Sequence, residues 1–169
     1  HSGRFVRTEK YRREEDAQRS LFNGAGSVLP GSMASRNNDS INVANTNVQS
    51  FNGELLALWE GGSAYRIDSD SLETIGKQAW SEELAGVPFS AHPRIDANGD
   101  WWNFGSMPVA GMSALVLYHI GTDGQLKQSR VHQLEQAGYQ HDFILTPNYL
   151  VFLNSSLIAS KHGETFVDS

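Results

Sequence analysis

Turn signals at regular intervals constrain the fold of this chain more than any other feature. From residue 43 onward, short runs of Val, Ile, Leu and aromatic residues alternate with turns. Asn-Gly and Asp-Gly pairs supply the positive φ angles that tight hairpins require. The pattern predicts an all-β domain of consecutive hairpins, with the clearest strands over 64–68 and 114–120. The predicted turns lie at Phe51-Asn52-Gly53, Asp68-Ser69-Asp70, Ala97-Asn98-Gly99, Thr122-Asp123-Gly124 and Thr146-Pro147-Asn148.

The hairpin turns repeat with the period of a β-propeller blade. Asn52, Asn98 and Asn148 are 46 and 50 positions apart, and a second hairpin lies in each interval. Two hairpins, or four strands, in roughly 45–50 residues are typical of one blade. We therefore predict blades at about 43–85, 88–135 and 139–169, the last one incomplete. Because propellers usually need about four to eight blades to close, 43–169 would form only part of one.

The first 42 residues are predicted to form a helix and a loop region. A helix from about Thr8 to Phe22 is indicated by the i,i+4 pairs Glu9/Arg13 and Glu15/Arg19. Residues 23–42 are rich in Gly, Ser, Asn and Pro, which is typical of a long loop. The chain starts at His1-Ser2-Gly3 without Met, as a piece of a longer protein would.

Composition excludes several classes of function. The chain has no cysteine, which excludes disulfides and cysteine-based metal sites. Its net charge of -6 argues against nucleic acid as a partner, because phosphate binding requires a basic face. No apolar run is long enough to span a bilayer and no signal peptide pattern is present. The compartment stays open, with the cytoplasm as the expectation.

Two of the six histidines occupy equivalent positions in successive blades. His92 and His141 each open the first hairpin of a blade, so both are expected to point toward the propeller axis. Two converging imidazoles are candidate metal ligands, and two core histidines bonded to backbone are the alternative. The other histidines are interpreted as solvated, turn or terminal residues: His119, His132, His162 and His1.

Glu60 is unusual because it ends the apolar run 55–59 and precedes two glycines. A carboxylate at the end of a buried strand needs a partner to offset its desolvation. It is predicted either to accept the free N–H of a metal-bound histidine or to cap the Gly-Gly turn. The tandem Trp101-Trp102 is interpreted as structural, with one ring in the core and the other on an adjacent surface.

Four motifs, taken in order and spacing, resemble those of the carotenoid cleavage oxygenases. The resemblance extends to the opening Gly-Arg-Phe-Val-Arg-Thr and covers part of that family's length. The motifs are Asn45-Thr46-Asn47-Val48, Leu56-Ala57-Leu58-Trp59-Glu60-Gly61-Gly62, Phe89-Ser90-Ala91-His92-Pro93, and His141-Asp142-Phe143 with Thr146 and Asn148-Tyr149.

The resemblance implies a seven-bladed propeller, here about two to three blades after a short N-terminal helix, with Fe(II) bound by four histidines. His92 and His141 match the first two ligands. By the same likeness, Glu60 would hydrogen-bond His141, and Thr46 would border an open coordination position. The missing C-terminal half would supply the two other histidines, so this piece alone is expected to bind iron weakly and to be inactive.

The implied reaction is cleavage of a conjugated C=C bond by O2 to give two carbonyl products. Family members that cleave 4-hydroxystilbenes tend to carry lysine immediately before the glutamate, whereas this chain has Trp59, a large apolar surface suited to a polyene. We therefore predict a carotenoid or apocarotenoid substrate, with a stilbene-cleaving enzyme or a non-catalytic propeller as alternatives. The expected partners are an apolar polyene and O2, with peripheral membrane contact left open.

Overall fold

A computed structural model describes residues 3–24, 26–109, 112–135, 138–155, 157–159 and 166–168. The elements, in chain order, are α1 (Glu9–Ala17), a 3₁₀ helix (Asn38–Ile41), β1 (Asn47–Phe51), β2 (Glu54–Leu58), β3 (Tyr65–Ile67), β4 (Thr74–Lys77), β5 (Arg94–Ile95), β6 (Trp101–Val109), β7 (Met112–Ile120), β8 (Leu126–Gln133), β9 (Phe143–Leu145), β10 (Leu150–Phe152), β11 (Leu157–Ala159) and β12 (Phe166–Asp168).

All five predicted turns are confirmed as connections between antiparallel strands. Asn52 and Gly53 link β1 to β2 with φ angles of 48° and 81°, the left-handed values that favour Asn-Gly. The remaining turns link β3 to β4, β5 to β6, β7 to β8, and β9 to β10. The clearest predicted strands correspond to β3 and β7, and β7 begins two residues earlier than predicted.

The chain folds as two compact units, residues 1–89 and 90–169. In the first unit, β1 to β4 form one antiparallel sheet in sequence order. Ala44, Ala57, Tyr65 and Ile67 form a buried cluster on this sheet, and Val6 packs against it. The N-terminal segment therefore packs against the apolar face of this sheet.

Helix α1 is shorter than the predicted Thr8–Phe22. Thr8 caps its N-terminus by accepting a hydrogen bond from the Tyr11 N–H, and Gln18 ends it in a left-handed conformation. The Glu14 carboxylate accepts the N–H groups of Leu21 and Phe22, which folds those residues back instead of continuing the helix. The predicted Glu15/Arg19 helix pair was therefore wrong, because Arg19 lies beyond the helix.

The ion pair that does join two residues four apart in α1 is Lys10–Glu14, at 2.9 Å. Glu15, predicted to pair with Arg19, pairs instead with Arg7, which precedes the helix. Among the described residues, no helix is both long and apolar enough to cross a membrane.

In the second unit, β5 to β8 form another four-stranded antiparallel sheet in sequence order. Phe104, Leu115 and Phe143 form a buried cluster that packs the β9–β10 hairpin against this sheet. Trp101 is buried and Trp102 lies at the edge of the cluster, as predicted for the tandem tryptophans. Residues 157–159 pair with 166–168, and His1 and His162 lie outside the described residues. The blade boundaries stay predictions.

Candidate metal centre

The structure brings the two predicted histidine ligands together in the second unit. His92 lies just before β5 and is half-buried, whereas His141 lies just before β9 and is exposed. Their ring centroids are 4.6 Å apart, with the ring planes at 61°. Two imidazoles at this separation can present nitrogens to one ion, since neutral imidazole binds Fe, Zn, Cu and Ni. Their role as ligands stays a prediction.

An ion pair joins the two segments that carry these histidines. Arg94 Nη2 donates to Asp142 Oδ2 at 2.6 Å, and Arg94 Nε donates to the Phe143 carbonyl oxygen at 3.2 Å. Arg94 is two residues after His92, and Asp142 directly follows His141. Sequence analysis missed this pair. The signal was present, because an arginine and an aspartate follow the two candidate ligands in successive predicted blades.

Buried carboxamides fix both histidine segments. Asn103, on β6, is fully buried, and its Nδ2 donates to the Ser90 carbonyl oxygen at 2.8 Å. The Ser90 N–H in turn donates to the Phe104 carbonyl oxygen at 2.7 Å. Ser90 lies two residues before His92, so both hydrogen bonds fix the segment that carries this histidine. Sequence analysis did not identify Asn103, because a lone polar residue in an apolar strand carries no chemical motif.

The segment before His141 is fixed in a similar way. Gln140 is buried, and its Nε2 donates to Asn154 Oδ1 at 2.6 Å. The Tyr139 hydroxyl lies 3.2 Å from His141 Nδ1, where it can accept the Nδ1 proton or donate its own. When Nδ1 carries the proton, His141 Nε2 has a lone pair and is suited to binding a metal.

The other predicted site residues lie in the first unit, at the end of the β1–β2 hairpin away from its turn. Thr46 precedes β1 and donates from Oγ1 to Glu60 Oε2 at 3.0 Å, and its N–H donates to the Leu58 carbonyl oxygen. Trp59 follows β2 and is half-buried. The structure therefore joins Thr46 to Glu60 directly, and the roles predicted for all three residues stay predictions.

The glycines after Glu60 have a packing reason. A Cβ at Gly61 would lie 2.6 Å from Cη2 of the Trp59 ring. A Cβ at Gly62 would lie 2.5 Å from Nδ2 of Asn42, which is fully buried. Real Cβ atoms do not approach this closely, because packed interiors leave no room for the overlap. The glycines let the Trp59 ring and the Asn42 amide approach the backbone beside Glu60.

A buried carboxylate holds the 3₁₀ helix against the segment after these glycines. Asp39 accepts hydrogen bonds from the Ser63 N–H at 2.8 Å and the Ser63 Oγ at 2.9 Å, and pairs with Lys77 at 3.0 Å. Burial alone would raise the pKa of Asp39, but the hydrogen bonds from Ser63 and Lys77 outweigh it and lower that pKa. Asp39 is therefore a charged anchor for Ser63, three residues after Glu60.

A second cluster of ligating side chains lies at the β5–β6 turn, where Asp96, Asp100 and His119 present atoms within 4.8 Å of one another. The Asp100 charge is already paired, because Lys127 bonds both of its oxygens at 2.9 and 2.6 Å, and Asp96 accepts the Trp102 Nε1–H at 3.0 Å. Hydrogen bonds from Lys127 and His119 hold the pKa of Asp100 below its usual value. We interpret the cluster as structural.

The interpretation of His119 as a solvated or turn residue was wrong. Its ring stacks on Trp102 with centroids 3.9 Å apart, and its Nε2 lies 2.8 Å from Asp100 Oδ2. The alternation of β7 did not reveal this contact, because the partner ring comes from the neighbouring strand β6. His132 is exposed on β8, as predicted.

Comparison with known proteins places these features in one family. Residues 1–168 match the family model described as retinal pigment epithelial membrane protein. The chain is 34% identical to apocarotenoid-15,15'-oxygenase of Synechocystis sp. over 91% of its length, and 35% identical to resveratrol cleavage oxygenase 1 of Aspergillus fumigatus over 88%. It covers 34% and 30% of those proteins, so it spans about a third of the relatives that it matches.

Solved structures agree with the sequence matches. A Glu-to-Gln variant of the Synechocystis apocarotenoid oxygenase superimposes on 93% of this chain with a TM-score of 0.77 and 31% identity, and the chain covers 35% of that protein. A chimera of that oxygenase with the retinal pigment epithelial protein gives a TM-score of 0.77 at 33% identity over 92% of this chain. The predicted fold class, a mainly β chain forming part of a propeller, is confirmed. The chain therefore belongs to the carotenoid oxygenase family of the retinal pigment epithelial membrane protein.

Proposed function

We propose that the full-length protein is an Fe(II)-dependent dioxygenase that cleaves a conjugated C=C bond of a carotenoid or apocarotenoid. The observation that carries the proposal is the 4.6 Å approach of the His92 and His141 rings in a chain whose relatives are named oxygenases. His92 and His141 would be two of four histidine ligands, and the C-terminal part of the protein would supply the other two.

The residues present fit a ferrous ion. Two neutral imidazoles suit iron, and His141 can present Nε2 to a metal when its Nδ1 carries the proton. Iron, when bound, would supply the activation of O2 that no side chain of this chain can provide. In the proposed reaction one C=C bond and one O2 become two C=O groups, so no leaving group and no external reductant are required.

Glu60 and Thr46 are proposed to act around the metal without binding it. By the family resemblance, Glu60 would accept the hydrogen bond of His141, fixing its ring and offsetting the charge of an ion held by neutral ligands. The Thr46–Glu60 hydrogen bond supports this, because it fixes the carboxylate at the end of β2. Thr46 would then border the position where O2 enters.

Residue spacing supports the same assignment. Solved variants of the Synechocystis apocarotenoid oxygenase change a threonine, a tryptophan and a glutamate. In that protein the tryptophan lies 13 residues after the threonine and directly precedes the glutamate. Thr46, Trp59 and Glu60 have the same spacing.

Trp59 is the residue that favours a polyene substrate. Its ring is half-buried over Gly61 and offers an apolar surface with no charge to bind a phenol. The alternative, a stilbene-cleaving enzyme, is favoured by the 35% identity to resveratrol cleavage oxygenase 1. Because of Trp59, the proposed partners are an apolar polyene and O2. Nucleic acid is not proposed as a partner, since the net charge is -6, and peripheral membrane contact is an additional proposal.

The test is an oxygen-dependent cleavage assay on the full-length protein loaded with Fe(II). We expect aldehyde products from an apocarotenal and at least tenfold lower kcat/KM with resveratrol. The reverse preference would establish the stilbene alternative. Cleavage that persists in both His92→Ala and His141→Ala would contradict the proposed iron centre. The isolated 169-residue chain is expected to give no turnover, and appreciable aldehyde from it would contradict the assignment of missing ligands.

A further inference from the structure

Arg94 contacts the His141 segment at two points. Its Nη2 donates to the Asp142 carboxylate at 2.6 Å and its Nε donates to the Phe143 main-chain oxygen at 3.2 Å. One contact fixes a side chain and the other fixes the backbone, so the residues just after His141 are held in register against those just after His92.

We propose that Arg94 is a positioning residue that sets the separation of the two histidine ligands before the metal binds. The role rests on the proposed function. The planar guanidinium of arginine presents several donors in a fixed geometry, which an ammonium group cannot do. Arg94 can therefore hold Asp142 and Phe143 at once through two nitrogens of one rigid group, whereas lysine has a single nitrogen on a flexible chain.

The pair is suited to organising ligands more than to stabilising the fold. The Arg94 and Asp142 side chains are 44% and 41% exposed, and exposed ion pairs contribute little to folding stability. Metal affinity is more sensitive, because residues that orient ligands typically change it by about 10–100-fold when mutated. Without the Arg94 contacts, the ion would have to order the His92 and His141 segments as it binds, and that ordering would lower its affinity.

The chain offers a matched control in the first unit. Arg66 bonds both oxygens of Glu54 at 2.6 Å through Nε and Nη2, with side chains 39% and 31% exposed. Arg66→Lys therefore breaks an arginine interaction that uses the same two nitrogens, has similar exposure and joins β2 to β3. If losing any exposed arginine–carboxylate pair weakened metal binding, Arg66→Lys and Arg94→Lys would weaken it equally.

The experiment measures Co(II) and Fe(II) dissociation constants of the full-length protein, together with the Co(II) absorption spectrum and the melting temperature without metal. We expect Arg94→Lys and Arg94→Gln to bind about tenfold more weakly with an altered Co(II) spectrum, and to melt like the Arg66→Lys control. Asp142→Asn should weaken binding similarly. Combining Asp142→Asn with Arg94→Gln should add little to the loss of affinity in Arg94→Gln alone, because both changes remove the Arg94–Asp142 contact.

Unchanged affinity and spectrum in both Arg94 variants would overturn the proposal. An equal loss of affinity in Arg66→Lys would also overturn it. A double variant whose loss of binding free energy equals the sum of the two single losses would do the same. His141→Ala separates this result from the proposed function. If it loses the metal while the Arg94 variants do not, only the positioning role fails; if it binds metal normally, the proposed iron centre itself fails.

Discussion

Replacing Asp39 with alanine should open the segment after Glu60, because Asp39 is the acceptor that holds Ser63 in place. The Asp39 side chain is 3% exposed and accepts both the N–H and the hydroxyl of Ser63. Lys77 is 47% exposed and can be solvated after the change. The buried Asn42 Nδ2, 3.3 Å from Asp39 Oδ1, keeps its hydrogen bond to the Ser63 carbonyl oxygen at 2.8 Å. The cost therefore falls on the two donors of the buried Ser63.

The magnitude follows from those two donors. A buried donor left without an acceptor costs about 1–3 kcal/mol, so two of them give a loss of about 3 kcal/mol. That loss corresponds to roughly a hundredfold change in an opening equilibrium. Hydrogen exchange of the Ser63 amide should therefore accelerate by roughly a hundredfold in Asp39→Ala at pH 7.

The difference in folding stability between wild type and Asp39→Ala should depend on pH. The pKa of Asp39 is lowered in the folded state, so its charged form stabilises the fold fully above the unfolded value of about 3.9. That contribution is lost as the pH falls through the lower folded-state pKa. The difference in stability between wild type and Asp39→Ala should therefore be full at pH 7 and should narrow as the pH falls below about 4.

The assay is peptide-resolved hydrogen exchange over residues 60–66 of the full-length protein, with urea unfolding at pH 7 and pH 3. Asp70→Ala is the control, because Asp70 is an exposed acid in the turn after β3. Wild-type exchange rates at Ser63 in Asp39→Ala, or a stability difference that grows on acidification, would refute the reasoning.

Three further changes test other contacts. Gly62→Ala should lower the free energy of unfolding by about 1–3 kcal/mol in urea titrations, because its Cβ would overlap the buried Asn42 amide, and unchanged stability would contradict that packing. Asn103→Leu should weaken Co(II) binding about tenfold, because it releases the Ser90 carbonyl oxygen. Asp100→Asn is its control and should leave the dissociation constant unchanged, because the Asp100 carboxylate pairs with Lys127. Trp59→Lys should shift the kcat/KM ratio at least tenfold toward resveratrol over an apocarotenal; an unchanged ratio would remove Trp59 from substrate selection.

The local elements of the fold could be predicted from the sequence because their signals are local. Asn52-Gly53 specifies its own turn, and the other four turns follow the same logic. The end of α1 could not be predicted, since it depends on the Glu14 carboxylate bonding Leu21 and Phe22 seven and eight residues away. A charged residue in a helical pattern looks solvated until its tertiary partner is known.

The candidate site was predictable at the level of its motifs. His92 and His141 were identified from their equivalent positions, and Glu60 from its place at the end of an apolar run. The Thr46–Glu60 contact joins Glu60 to a residue identified by resemblance. The residues that hold them were missed. Asn103 acts through a hydrogen bond to the Ser90 backbone, which leaves no mark in the sequence beyond one polar residue in an apolar strand.

The central claim is that His92 and His141 bind the same ferrous ion. Crystals of the full-length protein grown anaerobically with Fe(II), with anomalous diffraction recorded at the iron edge, would test it most directly. We predict one anomalous peak about 2.1 Å from a ring nitrogen of each histidine, the usual length of a metal–imidazole bond. A peak bound to only one of them, or to other residues altogether, would contradict it.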